Sequence, residues 1–184
     1  MPETPRPKTV VLGVTGSIAA YKACEIASQL TQAGVRVWTI FSVHAARFVT
    51  ALSFQALTGQ PVLEHGFQID DAHRPLHTRL ADEADMMLIA PATADCIGKL
   101  AAGLADDLVS TTALAVDYPV WIAPAMNQRM YRHRAVQRNL KTLEELGYTV
   151  LGVGSGHQAC GHTGPGRMLE PADLVQRVLH ALPR

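Results

Sequence analysis

The chain is expected to form an α/β fold in which a doubly wound, mainly parallel sheet is covered by helices on both faces, three layers in all. Three observations predict it. Short, β-branched apolar runs alternate with helix-length segments along nearly all of the 184 residues, the pattern of repeated βαβ units. Glycine or proline bounds most of these segments, as expected where strand gives way to turn and helix. The unusual polar residues also fall just after strands, where sheets of this kind bind ligands.

The elements follow in order. Thr9–Val14 (TVVLGV), closed by Thr15-Gly16, predicts a buried strand. Ser17–Ala33 predicts a helix ending at Gly34. Val35–Phe41 predicts the second strand, and Ala45–Leu57 a helix that stops before Gly59. Gln60–Leu76 is polar and lacks periodicity, so it reads as an excursion from the sheet. Met86–Ala90 predicts a third strand. The Ala-rich stretch Ala94–Val116 predicts helix, broken near Gly103. Val120–Ala123 sits between two prolines as a fourth strand. Ala135–Leu146, with apolar residues at 136, 140, 143 and 146, predicts a helix, and Tyr148–Val153 a last strand. The glycine-rich stretch Gly152–Gly166 predicts a loop, with a flexible flap over about 153–168. Pro171 opens a final helix, since proline suits the first helical position.

No internal repeat stands out, so one domain is expected over residues 9–184, preceded by a Pro-rich disordered arm at 1–8. At this length folding buries roughly 70% of the unfolded chain's surface, enough for a core without staples. Hydrophobic residues make up 48% of the chain and charged residues only 17%, so contacts between subunits are expected to cover part of the surface. Sixteen basic residues balance sixteen acidic ones and no basic face stands out, which argues against nucleic acid or a membrane as partner. Every apolar run is too short to span a bilayer. Cys24, Cys96 and Cys160 fit neither a disulfide framework nor C-x-x-C spacing, which favours a reducing cytoplasm.

Five segments could carry chemistry. Thr15-Gly16-Ser17-Ile18 marks a strand-to-helix turn whose amides and helix dipole suit a phosphate, although Ser17 as an ordinary N-cap reads equally well. The tip of the second strand, Phe41-Ser42-Val43-His44, lacks the acid that a dinucleotide's ribose needs, so a mononucleotide such as FMN fits better than NAD. Pro91-Ala92-Thr93-Ala94-Asp95-Cys96 offers hydroxyl and amide groups at a third strand end, where helix capping is the plain alternative. In Pro124-Ala125-Met126-Asn127 an Asn at the sheet's carboxyl edge needs polar partners and could hold a substrate carboxylate. Around Cys160, the run Ser155–His162 followed by Gly164-Pro165-Gly166-Arg167-Met168 suggests a flap presenting a thiol. Cys160 with His157 and His162 makes a poor metal site, since no second ligand cluster has suitable spacing, and no metal is expected. From spacing alone, His77 reads as one structural histidine among eight.

Together these segments resemble the flavin-dependent cysteine decarboxylases, which act on phosphopantothenoylcysteine or on the C-terminal cysteine of lantibiotic peptides. The resemblance runs from about Val10 to Pro171 through GSIAA, HTRLADEAD, APATAD, PAMNQRMY and ACG followed by GPGRM. It implies a flavodoxin-like, Rossmann-like fold, with FMN held between subunits of a homotrimer that is often assembled into a dodecamer. It places Gly16, Ser17, Ile18, Ser42, His44, Thr93, Ala94, Asp95, Cys96, Ala125 and Met126 against FMN. His77 becomes the catalytic histidine, supplied beside a neighbouring subunit's flavin. Asn127 becomes the residue that holds the substrate carboxylate, with Met130, Ala159 and Gly164 also near substrate. Tyr131 replaces the Trp at the edge of the family's PxMNxxMW pattern.

The implied reaction oxidises the cysteine –CH2–SH to a thioaldehyde, which gives the departing carboxylate an electron sink. Cys160, in the ACG motif, then becomes the proton donor as the enethiol is reduced, which favours phosphopantothenoylcysteine in coenzyme A biosynthesis. The synthetase that one bacterial arrangement fuses to such a domain is expected on a separate chain. The alternatives are an oxidative peptidyl-cysteine decarboxylase and a non-catalytic flavin-binding regulatory subunit. The ending Leu182-Pro183-Arg184 carries no acidic tail of the kind expected for the latter. PAMN argues against a flavin prenyltransferase, and the residues at Ser42 argue against an NAD module.

Overall fold

The computed structural model describes residues 6–64, 69–70 and 73–183. Its main sheet holds β1 (Thr9–Val14), β2 (Arg36–Phe41), β3 (Met86–Ala92), β4 (Val120–Pro124) and β5 (Thr149–Val150), all parallel, in the order β2-β1-β3-β4-β5. The chain steps from β1 to one side and then crosses back to β3. The switch point therefore lies between the carboxyl ends of β1 and β3.

The helices are α1 (Ala20–Gln32), α2 (Ala51–Thr58), α3 (Leu76–Glu83), α4 (Ala94–Ala101), α5 (Leu108–Ala115), α6 (Gln128–Arg132), α7 (Arg134–Glu145) and α8 (Pro171–Ala181). Strand alternation sorts them onto two faces. Val10, Leu12 and Val14 of β1, with Met86, Leu88 and Ala90 of β3, bury against α1, α2 and α8. Val11, Met87 and Ile89 point the other way, into a core completed by α3, α4, α5 and α7. Burial on both faces explains why β1 and β3 read as unbroken apolar runs. On α1, Ala20, Ala23, Ile26, Ala27 and Leu30 form the stripe that reaches the sheet. On the other face Arg79 lays its guanidinium 4.5 Å from the centre of the Trp38 ring.

Several expected boundaries are corrected. The first helix begins at Ala20 rather than Ser17, because Ser17–Ala19 form a tight turn. The Ala45–Leu57 helix divides into a single 3-10 turn at Ala45–Arg47 and α2. The Ala94–Val116 stretch, by contrast, breaks as expected around Gly103, over 102–107, and Asp107 with Ser110 forms a capping box that starts α5 afresh. Leu146 lies past the end of α7 and is exposed. The last main-sheet strand shrinks from Tyr148–Val153 to Thr149–Val150. The largest correction concerns Gly152–Gly166, expected as a loop. It holds an antiparallel hairpin of β6 (Gly154–His157) and β7 (Thr163–Arg167), separate from the main sheet.

The expected excursion at Gln60–Leu76 includes 65–68 and 71–72, and the expected arm includes 1–5; both sets lie outside the described residues. Arg6, by contrast, is placed: it bonds the Glu83 carbonyl and pairs with Asp85 at 2.7 Å. Among the described residues no helix is long and apolar enough to cross a membrane, and no cluster of His, Cys, Asp or Glu could hold a metal ion.

Candidate active site

The carboxyl ends of β1 and β3 are tied together by one hydroxyl. Thr15 Oγ1 donates to the Pro91 carbonyl at 2.7 Å and accepts the Thr93 N–H at 3.1 Å. This bond pair bridges the switch point. Beside it Gly16 runs so close to the tip of β2 that an added Cβ would stand 2.6 Å from His44 Cβ. A side chain there would push the two turns apart, so the glycine is required by close approach. Thr93 Oγ1 caps α4 by accepting the Cys96 N–H at 3.2 Å. Gly16, His44 and Thr93 thus meet around one crevice.

Other residues of the expected phosphate turn are partly spent on their own backbone. The Ser17 N–H donates to the Thr15 carbonyl, and the Ala19 and Ala20 N–H groups go to the Ser17 hydroxyl and carbonyl. Ser17 therefore braces the turn without being the N-cap residue of α1. Cys96 buries its thiol in the core. Burial, then the nearby Asp107 and Asp95 carboxylates, push that thiol far above its ordinary range. Asp95 pairs with Lys99 at 3.4 Å. What Cys96 and Asp95 contribute to the crevice is the shape of the α4 turn.

Next to the crevice opens a cavity of about 360 Å³, within the usual range for a small-molecule site. The start of α1 supplies Ser17, Ile18, Tyr21 and Lys22 to its wall, and the exit of β4 supplies Ala125, Met126 and Asn127. The hairpin covers it with His157, Gln158, Ala159 and Cys160 on one side and Gly166, Arg167 and Met168 on the other.

Asn127 and Cys160 meet here, 33 positions apart in sequence. Asn127 Nδ2 donates to Cys160 Sγ at 3.0 Å, while its Oδ1 accepts the Arg129 N–H at 2.8 Å. The second bond caps α6 and fixes the amide so that its NH2 faces the cavity. One N–H remains for a further acceptor, since an amide nitrogen carries two.

Gln158 holds the hairpin in place. Its buried side chain accepts the Gln128 N–H at 3.0 Å and donates to the Pro165 and Met126 carbonyls at 3.2 and 3.4 Å. Its backbone closes the turn, donating to the His162 carbonyl and accepting from the Gly161 N–H. Cys160 sits at the tip of that turn, exposed and free. One backbone bond, Met126 N–H to the Gly166 carbonyl at 2.9 Å, joins hairpin to β4 exit.

Of the residues expected in the site, the cavity brings together Ser17, Ile18, Ala125, Met126, Asn127, Ala159 and Cys160. Gly16, His44 and Thr93 form the adjoining crevice. Ser42 lies at the β2 tip, its N–H donating to the Val14 carbonyl, and Ala94 and Cys96 open α4. Gly164 faces Gln128, and Met130 is half exposed on α6. His77 belongs to neither group. It occupies the first turn of α3, with Nδ1 buried and unpartnered among the described residues.

Gln158, Tyr21, Lys22 and Arg167 are cavity residues to which sequence reasoning gave no role. Gln158 and Arg167 fall within the hairpin motif, but nothing in their spacing distinguishes a buried clamp from a surface side chain. Lys22 looks like an exposed helix position although its side chain is nearly buried, and Tyr21 is indeed exposed at the rim of the cavity.

Comparison with known proteins was consistent with this geometry. A family model described as Flavoprotein matches residues 2–182. The coenzyme A biosynthesis bifunctional protein CoaBC of Bacillus subtilis (strain 168) is 47% identical over 169 residues, 92% of this chain. The match takes in 42% of the Bacillus protein, so the chain spans about two fifths of the length of such relatives. A PPC decarboxylase mutant complexed with pantothenoylaminoethenethiol aligns with a TM-score of 0.84 at 30% identity, covering 95% of this chain and 98% of its own. The FMN binding protein AtHal3 aligns with a TM-score of 0.81 at 30% identity, covering 95% and 96%. The fold is thus the flavodoxin-like α/β arrangement of these neighbours.

Proposed function

Because the chain belongs to the flavoprotein family, we propose that it decarboxylates the cysteine end of phosphopantothenoylcysteine, with FMN as cofactor, in coenzyme A biosynthesis. The observation that carries this reading is the Asn127–Cys160 contact at 3.0 Å on the wall of a ligand-sized cavity. It puts a carboxylate anchor and a proton donor against one small volume. The names borne by the Bacillus relative and by the two structural neighbours support the same substrate and cofactor.

The residues present fit FMN. Gly16, with no side chain, lets the turn after β1 pack against His44 at the β2 tip, which gathers the strand ends at the switch point where sheets of this kind bind nucleotide ligands. Gly16, Ser17, Ile18, Ser42, His44 and the Thr93–Cys96 turn would hold the flavin, together with Ala125 and Met126. FMN supplies, when bound, the reversible two-electron oxidation of –CH2–SH that makes the carboxylate a β-thiocarbonyl acid.

The chain's own residues do the rest. Asn127 Nδ2 donates to the substrate carboxylate and keeps it in the geometry from which carbon dioxide leaves. Cys160 Sγ would give one proton to the enethiol carbon, and the two electrons taken up by FMN would be returned as hydride, so that together they complete the saturated thiol. Gln158 keeps the thiol at the cavity by clamping the hairpin to Met126 and Gln128. Met130, Ala159 and Gly164 border the substrate.

His77 acts from a neighbouring subunit of a homo-oligomer, a trimer or a dodecamer built from four trimers. Its place in the first turn of α3, outside the residues that line the cavity of its own chain, supports this. Exposed Val43, Phe48 and Leu52, near the β2 tip, are apolar surface available for such a contact.

The test is the mass of the product formed from phosphopantothenoylcysteine by the purified protein. A product lighter by carbon dioxide alone is expected. A product lighter by carbon dioxide and two hydrogens would move the assignment to an oxidative peptidyl-cysteine decarboxylase. Unchanged substrate with FMN bound would leave a non-catalytic flavoprotein.

A further inference from the structure

The cavity wall is charged on one side only. Its cationic residues are Lys22 and Arg167, and among the described residues no acid lines it, although acids and bases balance in the chain as a whole. Lys22 comes from the first turn of α1 and is nearly buried, its side chain 12% exposed. Arg167 comes from the returning strand of the hairpin. Gly156 makes room for it: a Cβ there would lie 2.6 Å from an Arg167 guanidinium nitrogen.

Both cations lean on one carboxylate outside the wall. Lys22 Nζ stands 2.6 Å from Glu170 Oε2, and Arg167 Nη2 stands 3.3 Å from Glu170 Oε1. Two cations share one anion, so one positive charge is left over. A nearly buried ammonium that shares a single exposed carboxylate with a guanidinium is a poor arrangement for stability alone. It is a good one for a phosphomonoester, which carries close to two negative charges and three acceptor oxygens.

Resting on the decarboxylase reading, we propose that Lys22 and Arg167 form the phosphate-binding end of this cavity, opposite in function to Asn127. Asn127 takes the carboxylate that is lost, and the two cations take the phosphomonoester that is kept. Glu170 holds them in place when the cavity is empty and yields part of its hold to the phosphate. This subsite separates a phosphorylated pantothenoyl substrate from a peptide, which has no second anion to offer there.

The experiment is calorimetry of the FMN-loaded protein with 4′-phosphopantothenate and with pantothenate. Neither probe has the cysteine, so turnover plays no part. Wild type is expected to prefer the phosphorylated probe by about 10–100-fold, the effect of one or two charge-assisted contacts. K22M/R167M is expected to cut that preference to within about threefold, as both of those contacts are lost. An equal loss for both probes, or a preserved preference, would overturn the subsite.

Should the double variant fail to fold, Glu170→Gln decides. It frees both cations, and a several-fold stronger preference is expected; an unchanged or weaker preference would overturn the proposal. The two readings fail separately. A protein that discriminates phosphate but releases no carbon dioxide has the subsite without the reaction. One that releases carbon dioxide without discriminating has the reaction without the subsite.

Discussion

Asn127 donates to the Cys160 thiol across 3.0 Å while its oxygen caps the helix that begins one residue later. The same side chain thus faces the cavity with its nitrogen and anchors itself with its oxygen. Asn127→Asp keeps the capping acceptor, adds a charge and removes the donor. The expected result is a loss of about 10²–10³ in kcat, the scale for removing one donor aimed at a reacting group. Melting temperature and FMN absorbance should stay close to wild type, and steady-state kinetics beside both measurements checks it. Normal turnover would end the carboxylate assignment.

Cys160→Ser replaces the proposed proton donor by a far weaker acid at the same place. Decarboxylation should proceed and reduction should stall. The expected product is two hydrogens short of the saturated thiol, read by mass spectrometry. A saturated product from this variant would remove Cys160 from the mechanism.

His77→Asn tests a residue that stands apart from its own chain's cavity. Turnover should fall by at least about tenfold, a modest share of the usual acid–base contribution, with the isolated chain's fold unaltered by circular dichroism. Mixing H77N with N127D subunits should then restore part of the activity, if the two residues work across an interface. No restoration would return His77 to action within its own subunit or to a structural role.

Two glycines of the hairpin should respond differently to alanine. At Gly166, with φ at +122°, a Cβ would lie 2.5 Å from the Met126 carbonyl oxygen, which is backbone and cannot step aside. At Gly164 the clash is with the Gln128 amide oxygen, the end of a flexible side chain. G166A should loosen the hairpin by about 1–3 kcal/mol, and G164A by less. Hydrogen exchange over 154–167 measures the difference, and equal effects would contradict it.

The three thiols should react in a fixed order with a thiol-titrating disulfide near pH 8. Cys160 is exposed and should react first. Cys24 is half-buried and burial raises its pKa, so less of it is thiolate and it should follow slowly. Cys96, buried and raised further, should wait for denaturant. Prompt reaction of all three in native protein would refute this placement.

Much of this was legible beforehand, and for a physical reason. The parallel sheet announces itself because β1 and β3 are buried on both faces, which leaves unbroken apolar runs at Thr9–Val14 and Met86–Ala92. Asn127 was legible because a polar side chain at a strand exit needs a partner. The hairpin at 154–167 was not, since its strands are built from glycine, serine and proline and have no apolar alternation to show. α6 was also hidden: five residues are too few for a period, and what starts it is the same Asn127 that reads as a ligand. Gln158 became visible only when the hairpin lay on the β4 exit, and Lys22 and Arg167 only when Glu170, far from Lys22 in sequence, brought them to one cavity wall.

The bond from Thr15 to both the Pro91 carbonyl and the Thr93 amide has a consequence for how this protein tolerates change. A serine at 15 could keep both bonds, but a valine of nearly the same shape would leave two backbone groups unpaired at the seam where the strand order reverses. Evolution of the neighbouring turns toward other ligands is therefore free to alter Ser17, Ser42 or Ala94, provided a hydroxyl persists at that one seam. The most constrained atom of the floor beneath the ligand is one that touches only the protein itself.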